Sequence, residues 1–233
     1  MTNTFFSALL LACGIALAGF FIGNALADLK TADRHVSVKG LAERIVKSDK
    51  AIWLLQFNYS SDDLKDLYQG IAAAQQTIKG FLIKQGFSAV EMEMQPVGVM
   101  DNQSNSYNSN AKAKRFIATA GLTLNSSKVD SVREAVQTTG QLVQEGVVLN
   151  QSSVQYLFSQ LNAIKPDMLN EATTNATLAA ESFAKNAHSS LGKIRSASQG
   201  LFIIDDASGG NMGTAVMKQV RIVTTIDYFL KDK

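Results

Sequence analysis

The hydrophobic pattern of the chain begins with a long apolar run. No side chain from Phe5 to Ala27 is charged, and Asp28 opens a more polar remainder. A helix rises about 1.5 Å per residue, so a run of this length reaches roughly 34 Å, more than the roughly 30 Å hydrocarbon core of a bilayer. The pattern predicts a transmembrane anchor over residues 1–27, with the lipid bilayer as its partner, and a folded domain over residues 28–233.

A cleaved signal peptide is the alternative interpretation of this segment. Ala25-Leu26-Ala27 is the small-x-small pattern that a signal peptidase cuts, and cleavage after Ala27 would release a soluble exported protein. However, Met1 to Thr4 contains no Lys or Arg. The apolar run is also longer than the roughly 7 to 15 residues usual for a signal peptide. We therefore favour a retained anchor and keep cleavage open.

Small residues form stripes along the predicted anchor. Gly19 and Gly23 are four positions apart, and Ala8, Ala12 and Ala16 repeat that spacing. Such stripes let helix backbones approach closely in lipid, where packing drives association. These five residues are predicted to form a helix–helix contact.

A β-hairpin is predicted at the start of the domain. Apolar and polar residues alternate at Val36 and Val38, are interrupted at Gly40, and alternate again from Ala51 to Tyr59. The aromatic residues on one side of the second strand, Trp53 among them, are predicted to be core and not the lining of a ligand pocket. This is the usual position of aromatic residues that alternate along a strand.

Three helices are predicted from apolar residues at helical spacing. The first ends before Gly86, the second spans about residues 128–145, and the third and longest begins at Pro166 and continues to Ile194. The third helix has an apolar side marked by Leu169, Ala172, Ala176, Ala179, Phe183, Ala187, Leu191 and Ile194.

Further strands are predicted between and after these helices, over residues 90–99, 114–124, 147–158, 201–204 and 219–229. Strands and helices interleave without strict alternation. The fold class is therefore predicted to be α+β, with a mixed or antiparallel sheet covered by helices on one face, in one domain or two packed halves.

The polar loop from Asp101 to Asn110 is predicted as an interaction element. It consists almost entirely of Asn, Ser and Gln, and Tyr107 is its one large apolar side chain. Such loops are usually solvated, so a contact role for Tyr107 is a hypothesis.

Charge and reactive side chains narrow the function classes. The 22 Lys and Arg nearly balance 20 Asp and Glu, so nucleic acid is not an expected partner. The one cysteine, Cys13, lies in the predicted anchor, and the domain has two histidines, His35 and His188. A zinc site would need more of these ligands, and a serine hydrolase would have to use one of the two histidines as its base. No phosphate-binding glycine loop is present. We expect no catalytic residue, metal or cofactor.

Orientation across the membrane is not fixed by charge alone. Lys30 and Arg34 follow the anchor and taken alone would favour a cytoplasmic domain. The domain's lack of cysteine suits an oxidising compartment. Together with the N-terminal position of the anchor, this favours a domain that faces the periplasm.

Several short motifs resemble those of the SIMPL-domain family, in its membrane-anchored bacterial branch. They are Val38-Lys39-Gly40-Leu41-Ala42-Glu43, Ala51-Ile52-Trp53, Gln155-Tyr156-Leu157-Phe158, Ile164-Lys165-Pro166, Gln199-Gly200-Leu201-Phe202 and Val220-Arg221-Ile222-Val223-Thr224-Thr225. The resemblance implies a bacterial envelope protein with a helix-covered sheet. Relatives include large, closed homo-oligomers and proteins linked with oxidative stress.

Our leading hypothesis is a non-enzymatic, single-pass protein of the bacterial inner membrane that self-assembles into a large homo-oligomer through its SIMPL domain. The alternative is a soluble periplasmic, stress-related binding protein released by cleavage at Ala27. An enzyme whose site is assembled from carboxylates and hydroxyls is a third possibility.

Overall fold

The structure, a computed structural model, describes residues 11, 14–23, 34–104, 113–210 and 213–232. Its contacts divide the chain into two compact units. The first unit comprises Met1–Glu43, Lys165–Phe202 and Arg221–Lys233, and the second comprises Arg44–Ile164 and Ile203–Val220. Each unit is therefore built from segments that are distant in sequence.

The described domain interleaves strands and helices, which confirms the predicted α+β class. In chain order the elements are β1 (His35–Lys47), β2 (Lys50–Ser61), α1 (Leu64–Lys84), β3 (Met92–Met94), β4 (Gly98–Asp101), β5 (Phe116–Ser126), α2 (Val129–Gln137), α3 (Gly140–Gln144), β6 (Leu149–Leu157), α4 (Leu161–Asn186), β7 (Ser189–Gln199), β8 (Ile203–Asp206) and β9 (Met217–Asp232). Short 3₁₀ turns over Ala89–Glu91 and Asn102–Ser104 flank β3 and β4.

The second unit contains a five-stranded antiparallel sheet. Its order is β3–β5–β2–β6, and β4 also pairs with β5. Trp53 and Phe57 of β2 are buried in the core of this unit, and Trp53 meets Phe81 of α1 edge-on with ring centroids 6.5 Å apart. Burying a side chain of this size contributes about 1.5–3 kcal/mol. The prediction that these aromatic residues are core is confirmed.

The first unit contains strands β1, β9 and β7, with β9 in the centre and antiparallel to β7. Strand β8 pairs with the part of β9 that belongs to the second unit. One side of α4 carries small buried side chains, including Ala176 and Ala180, which pack on Val38 of β1 and on Ile226 and Tyr228 of β9. A helix thus covers one face of this sheet.

Gly40 allows α4 to lie close to β1. A Cβ atom at this position would stand 1.8 Å from the carbonyl oxygen of Ala172 and 2.5 Å from the backbone nitrogen of Ala176. Any larger residue would have to push the helix away. The expected interruption of the strand at Gly40 is wrong, because β1 continues through it to Lys47.

The predicted hairpin of the first two strands is also wrong. β1 pairs with β9, whereas β2 pairs with β5 and β6 in the other sheet. Alternation correctly identified both strands, but it carries no information about partners that are distant in sequence.

Two helix predictions need correction, one because the helix is divided in the middle and the other because it ends earlier. The segment predicted as one helix over residues 128–145 forms α2 and α3, which are separated where the hydroxyls of Thr138 and Thr139 bond back to the carbonyls three residues earlier. The longest helix ends at Asn186, before the predicted end at Ile194. His188 then adopts a positive φ of 52° and the chain turns into β7.

The N-terminal segment is described in part. Residues 11 and 14–23 are helical. No helix among the described residues is long and apolar enough to cross a membrane. Residues 1–10, 12–13 and 24–27 of the predicted anchor lie outside the described residues.

Candidate functional site

The face of the first-unit sheet opposite α4 is the first candidate surface, here called the outer face. Side chains alternate between the two faces of a strand, so the neighbours of the residues that pack on α4 point away from it. The side chains that point away from α4 are exposed on β1 and half-buried on β9. The outer face consists of Ser37, Lys39, Leu41 and Glu43 from β1 and Val223, Thr225, Asp227 and Phe229 from β9.

β7 is an edge strand of this sheet. Within the described part of the chain it pairs with β9 on one side. The side chains from Lys193 to Gln199 are exposed. An edge strand presents unpaired backbone N–H and C=O groups, which water or another strand can satisfy, and charged side chains such as Lys193 and Arg195 commonly restrain uncontrolled pairing.

Two glycines hold β7 against β9. A Cβ at Gly192 would lie 2.7 Å from the carbonyl oxygen of Phe229, and one at Gly200 would lie 2.6 Å from that of Val223. The amide of Gly200 donates to the same Val223 oxygen at 2.9 Å. The register of the two strands shifts between Leu191 and Ser196, as expected for a bulged edge strand.

A polar cluster links the three strands on the outer face. The Ser196 hydroxyl donates to Asp227 Oδ2 at 2.5 Å, and the Arg195 guanidinium donates to His35 Nδ1 at 2.8 Å. Hydrogen bonds from Ser196 and Ser37, together with the nearby positive charge of Arg195, lower the pKa of the Asp227 carboxyl. The Asp227 carboxylate is therefore the acceptor around which the cluster is organised.

The cluster contains the residue types of a serine hydrolase but not its hydrogen-bond arrangement. Catalysis would require a serine hydroxyl that gives its proton to a histidine. Here Ser196 and Ser37 both direct their protons to the Asp227 carboxylate. Because arginine can only donate, His35 Nδ1 is an acceptor toward Arg195. The arrangement cross-links strands and does not activate a nucleophile.

A buried ion pair is the second candidate site, and it lies in the second unit. Lys218 of β9 and Asp206 of β8 are bonded to each other, with both side chains only 4% exposed. The backbone amide of Thr214 also donates to Asp206, at 3.0 Å. The bond from Lys218 is the main cause of the lowered pKa of the Asp206 carboxyl, which outweighs the opposing effect of burial.

A small cleft of about 230 Å³ adjoins this pair. Tyr156, Phe158, Asp205 and Gly213 are among its lining residues, and the Tyr156 amide donates to the Gly213 carbonyl at 2.7 Å. Because Asp206 is already bonded to an ammonium and a backbone amide, the pair is arranged to hold the β8–β9 connection together. Among the described residues no group of three or more His, Cys, Asp or Glu side chains is placed to hold a metal.

The residues singled out from the sequence are only partly described. Ala16, Gly19 and Gly23 lie in the helical residues 14–23 and are exposed, and a Cβ at either glycine would meet nothing within 4 Å. Their predicted packing contact stays a prediction. Ala8, Ala12 and Tyr107 lie outside the described residues.

Two features escaped the sequence predictions. The helical spacing predicts a helix that continues into β7 as far as Ile194, so the sequence gives no indication of the exposed edge. Lys218 was not selected, although a signal was present: it precedes Val220 and Ile222 in the inward phase of β9, where a lysine needs a buried partner.

Comparison with known proteins identifies the class to which this fold belongs. The family described as "SIMPL: Protein of unknown function (DUF541)" matches residues 36–223. This match covers most of the chain, and the protein belongs to the SIMPL family. The resemblance seen in the short motifs is thereby confirmed. No curated protein sequence matches the chain.

Similar solved structures come from Listeria innocua. One is a hydrolase with 12% identity and a TM-score of 0.22, covering 77% of this chain and 90% of that one. Another is an uncharacterized conserved protein with 11% identity and a TM-score of 0.22, covering 77% and 90%. A further hydrolase has 11% identity and a TM-score of 0.21, covering 81% and 91%. Likenesses this distant support no conclusion about the chemistry of this chain.

Proposed function

We propose that this protein is a non-enzymatic, membrane-anchored protein of the bacterial envelope that self-assembles into a large homo-oligomer through its SIMPL domain. Residues 1–27 hold it in the inner membrane, with the domain in the periplasm. The observation that carries the proposal is β7, an edge strand whose side chains from Lys193 to Gln199 are exposed.

An exposed edge strand can accept a strand from a second copy. Such β-augmentation derives its affinity from backbone hydrogen bonds. Pairing of two β7 strands around a two-fold axis would stop at a dimer, whereas pairing of β7 with β1 of the next copy would repeat and could close into a ring. β1 stands at the opposite end of the first-unit sheet order from β7, which supports the repeating arrangement.

Membrane tethering would strengthen each weak contact. Copies held in one bilayer have a high effective concentration, so contacts of modest affinity can produce a stable assembly. The small-residue stripes of the predicted anchor would add helix–helix contacts in the lipid.

Disulfide cross-linking of the full-length protein in its membrane tests the proposal. The chain has one cysteine, so Cys13→Ser provides a background without thiols. Combining Ser198→Cys on β7, which stands opposite Thr225 on the outer face, with Lys39→Cys on β1 should then give a ladder of covalent multimers upon oxidation. The matched control replaces Ser198→Cys by Ser182→Cys, an exposed position on α4, and should give no ladder.

Other results would count against the assembly. Dimers formed by Ser198→Cys alone, with no ladder from the pair, would indicate two-fold pairing and no large oligomer. If the solubilised full-length protein also remained monomeric across micromolar concentrations, self-assembly would be abandoned. The intact mass of the natural protein tests the anchor separately, because cleavage at Ala27 would leave a chain that begins at Asp28.

A further inference from the structure

We propose that the first unit binds anionic phospholipid headgroups at the end where β1 begins and β9 finishes. The binding surface, here called the strand-end surface, consists of Lys193, Phe229, Leu230 and Lys231. The inference deepens the proposed function and rests on its retained anchor.

The strand-end surface is formed where β1 and β7 begin and β9 ends. The Leu230 amide of β9 donates to the carbonyl of Arg34, just before β1, at 2.8 Å. On the other side Leu230 stands opposite Leu191 of β7, and Lys231 stands opposite Ser190. The entry point of the chain from the N-terminal segment therefore adjoins the last residues of β9.

This surface combines positive charge with an apolar floor. Lys193, Phe229, Leu230 and Lys231 line a cleft of about 370 Å³. Both lysines are exposed, while Phe229 and Leu230 are half-buried, and the Arg195 guanidinium lies 6.0 Å from the centre of the Phe229 ring. A phosphate could be held between the ammonium groups while the less polar glycerol region contacts the apolar residues.

The surrounding charges favour the same ligand. Arg34 is exposed beside the cleft, and Lys185 is exposed near the end of α4, shortly before β7 begins. On the neighbouring part of β9, the Asp227 carboxylate accepts the hydrogen bond from Ser196. Basic residues next to a membrane segment are attracted to anionic lipid surfaces, and this attraction falls off within about one Debye length, roughly 8 Å.

The length of the connecting chain keeps this end of the unit near the bilayer. Arg34 is seven positions after Ala27, where the apolar run ends. Seven residues span at most about 25 Å when fully extended, at roughly 3.6 Å each. If the anchor is embedded, no other end of the first unit is tied so closely to the membrane by its own chain.

Hydrogen–deuterium exchange of the full-length protein in vesicles tests the inference. One set of vesicles contains about 30% phosphatidylglycerol in phosphatidylcholine and the other contains phosphatidylcholine alone. Peptides covering residues 189–195 and 227–232 should exchange at least about threefold more slowly in the anionic vesicles. The difference should disappear in about 0.5 M NaCl, where charges are screened beyond a few Å.

Charge variants identify the residues responsible. Lys193→Gln with Lys231→Gln should abolish the lipid-dependent protection. Lys65→Gln with Lys79→Gln, on α1 of the second unit, removes the same charge and should leave it intact. Equal exchange in both vesicles, or protection that survives in the first double variant, would overturn the inference. Equal protection by inorganic phosphate in zwitterionic vesicles would also overturn it, because the site would then be a phosphate site.

The two proposals can fail separately. The cross-linked ladder of Ser198→Cys with Lys39→Cys can be measured in the same vesicles. Protection that depends on anionic lipid without a ladder would retain headgroup binding and reject self-assembly. A ladder with equal exchange in both vesicles would retain self-assembly and reject headgroup binding.

Discussion

Lys218 occupies a position on β9 at which alternation places an apolar side chain. It is tolerated there because Asp206 neutralises its charge within the same buried environment. Such a pair contributes little net stability compared with well-packed apolar residues, but removing one partner is costly because the other charge remains buried. The pair therefore ties β9 specifically to the end of β8.

The pH dependence of the free energy of unfolding should reflect protonation of the Asp206 carboxylate. Its pKa is lowered in the folded protein, chiefly by Lys218. The unfolded chain consequently takes up the proton first as the pH falls. The stabilisation is fully present above the unfolded pKa of about 3.9 and is lost as the pH drops toward the lower folded pKa. We expect urea unfolding of the full-length protein in detergent to show this loss below about pH 4.

Asp206→Asn should remove that part of the pH dependence and lower the free energy of unfolding at neutral pH by about 3 kcal/mol. The control is Asp62→Asn, which breaks the exposed ion pair with Lys114 and should change neutral-pH stability little. An unchanged pH slope in Asp206→Asn would show that the buried pair is not responsible.

At the scale of elements, the packing of α4 on β1 is the most constrained contact in the first unit. Alanines on the helix and Gly40 on the strand bring the two backbones together. Alanines give a weak hydrophobic pattern, so the predicted apolar side of this helix depended mainly on its larger side chains. Phe183, used to mark the apolar side, is exposed.

We expect Gly40→Ala to destabilise the first unit by at least about 1–3 kcal/mol, because the added methyl group overlaps the backbone of α4. Gly80→Ala is the matched control: this glycine lies within α1, and an added Cβ meets nothing within 4 Å. That change should stabilise the helix by about 0.5–1 kcal/mol. Denaturant midpoints measure both, and equal effects of the two substitutions would contradict the close contact.

Sequence patterns predicted most elements but not their partners. Alternation located β1, β2, β5 and β9, since each has one buried face. It failed for β7, where Leu191 and Ile194 continue the helical spacing of Phe183 and Ala187. Only pairing with β9 makes this segment a strand, and that partner is distant in sequence. The edge on which the proposed assembly depends could not be predicted for the same reason.

At the scale of the whole molecule, the proposed assembly combines a contact in the lipid with a contact between domains. The two contacts lie on different parts of the chain, so each can be weakened alone. Cooperation between them would explain how individually weak surfaces produce a large oligomer.

Gly19→Leu with Gly23→Leu should weaken self-association of the full-length protein about fivefold, because bulky side chains prevent close helix approach in lipid. The control is Gly14→Leu, which makes the same change on another side of the helix. Analytical ultracentrifugation in detergent measures the association constant. If the control and the double variant weakened association equally, the small-residue stripe would not be the contact.

The central position of β9 has a consequence for the order of synthesis. β9 follows every other described element in the chain, yet it lies between β1 and β7 in the sheet. β1 therefore has no partner until nearly the whole domain has been synthesised, whereas β2, β5 and β6 of the other sheet can pair earlier. A ribosome that stalls before β9 would release a chain in which one sheet is complete and the other cannot form, and such a chain is a substrate for chaperones and proteases.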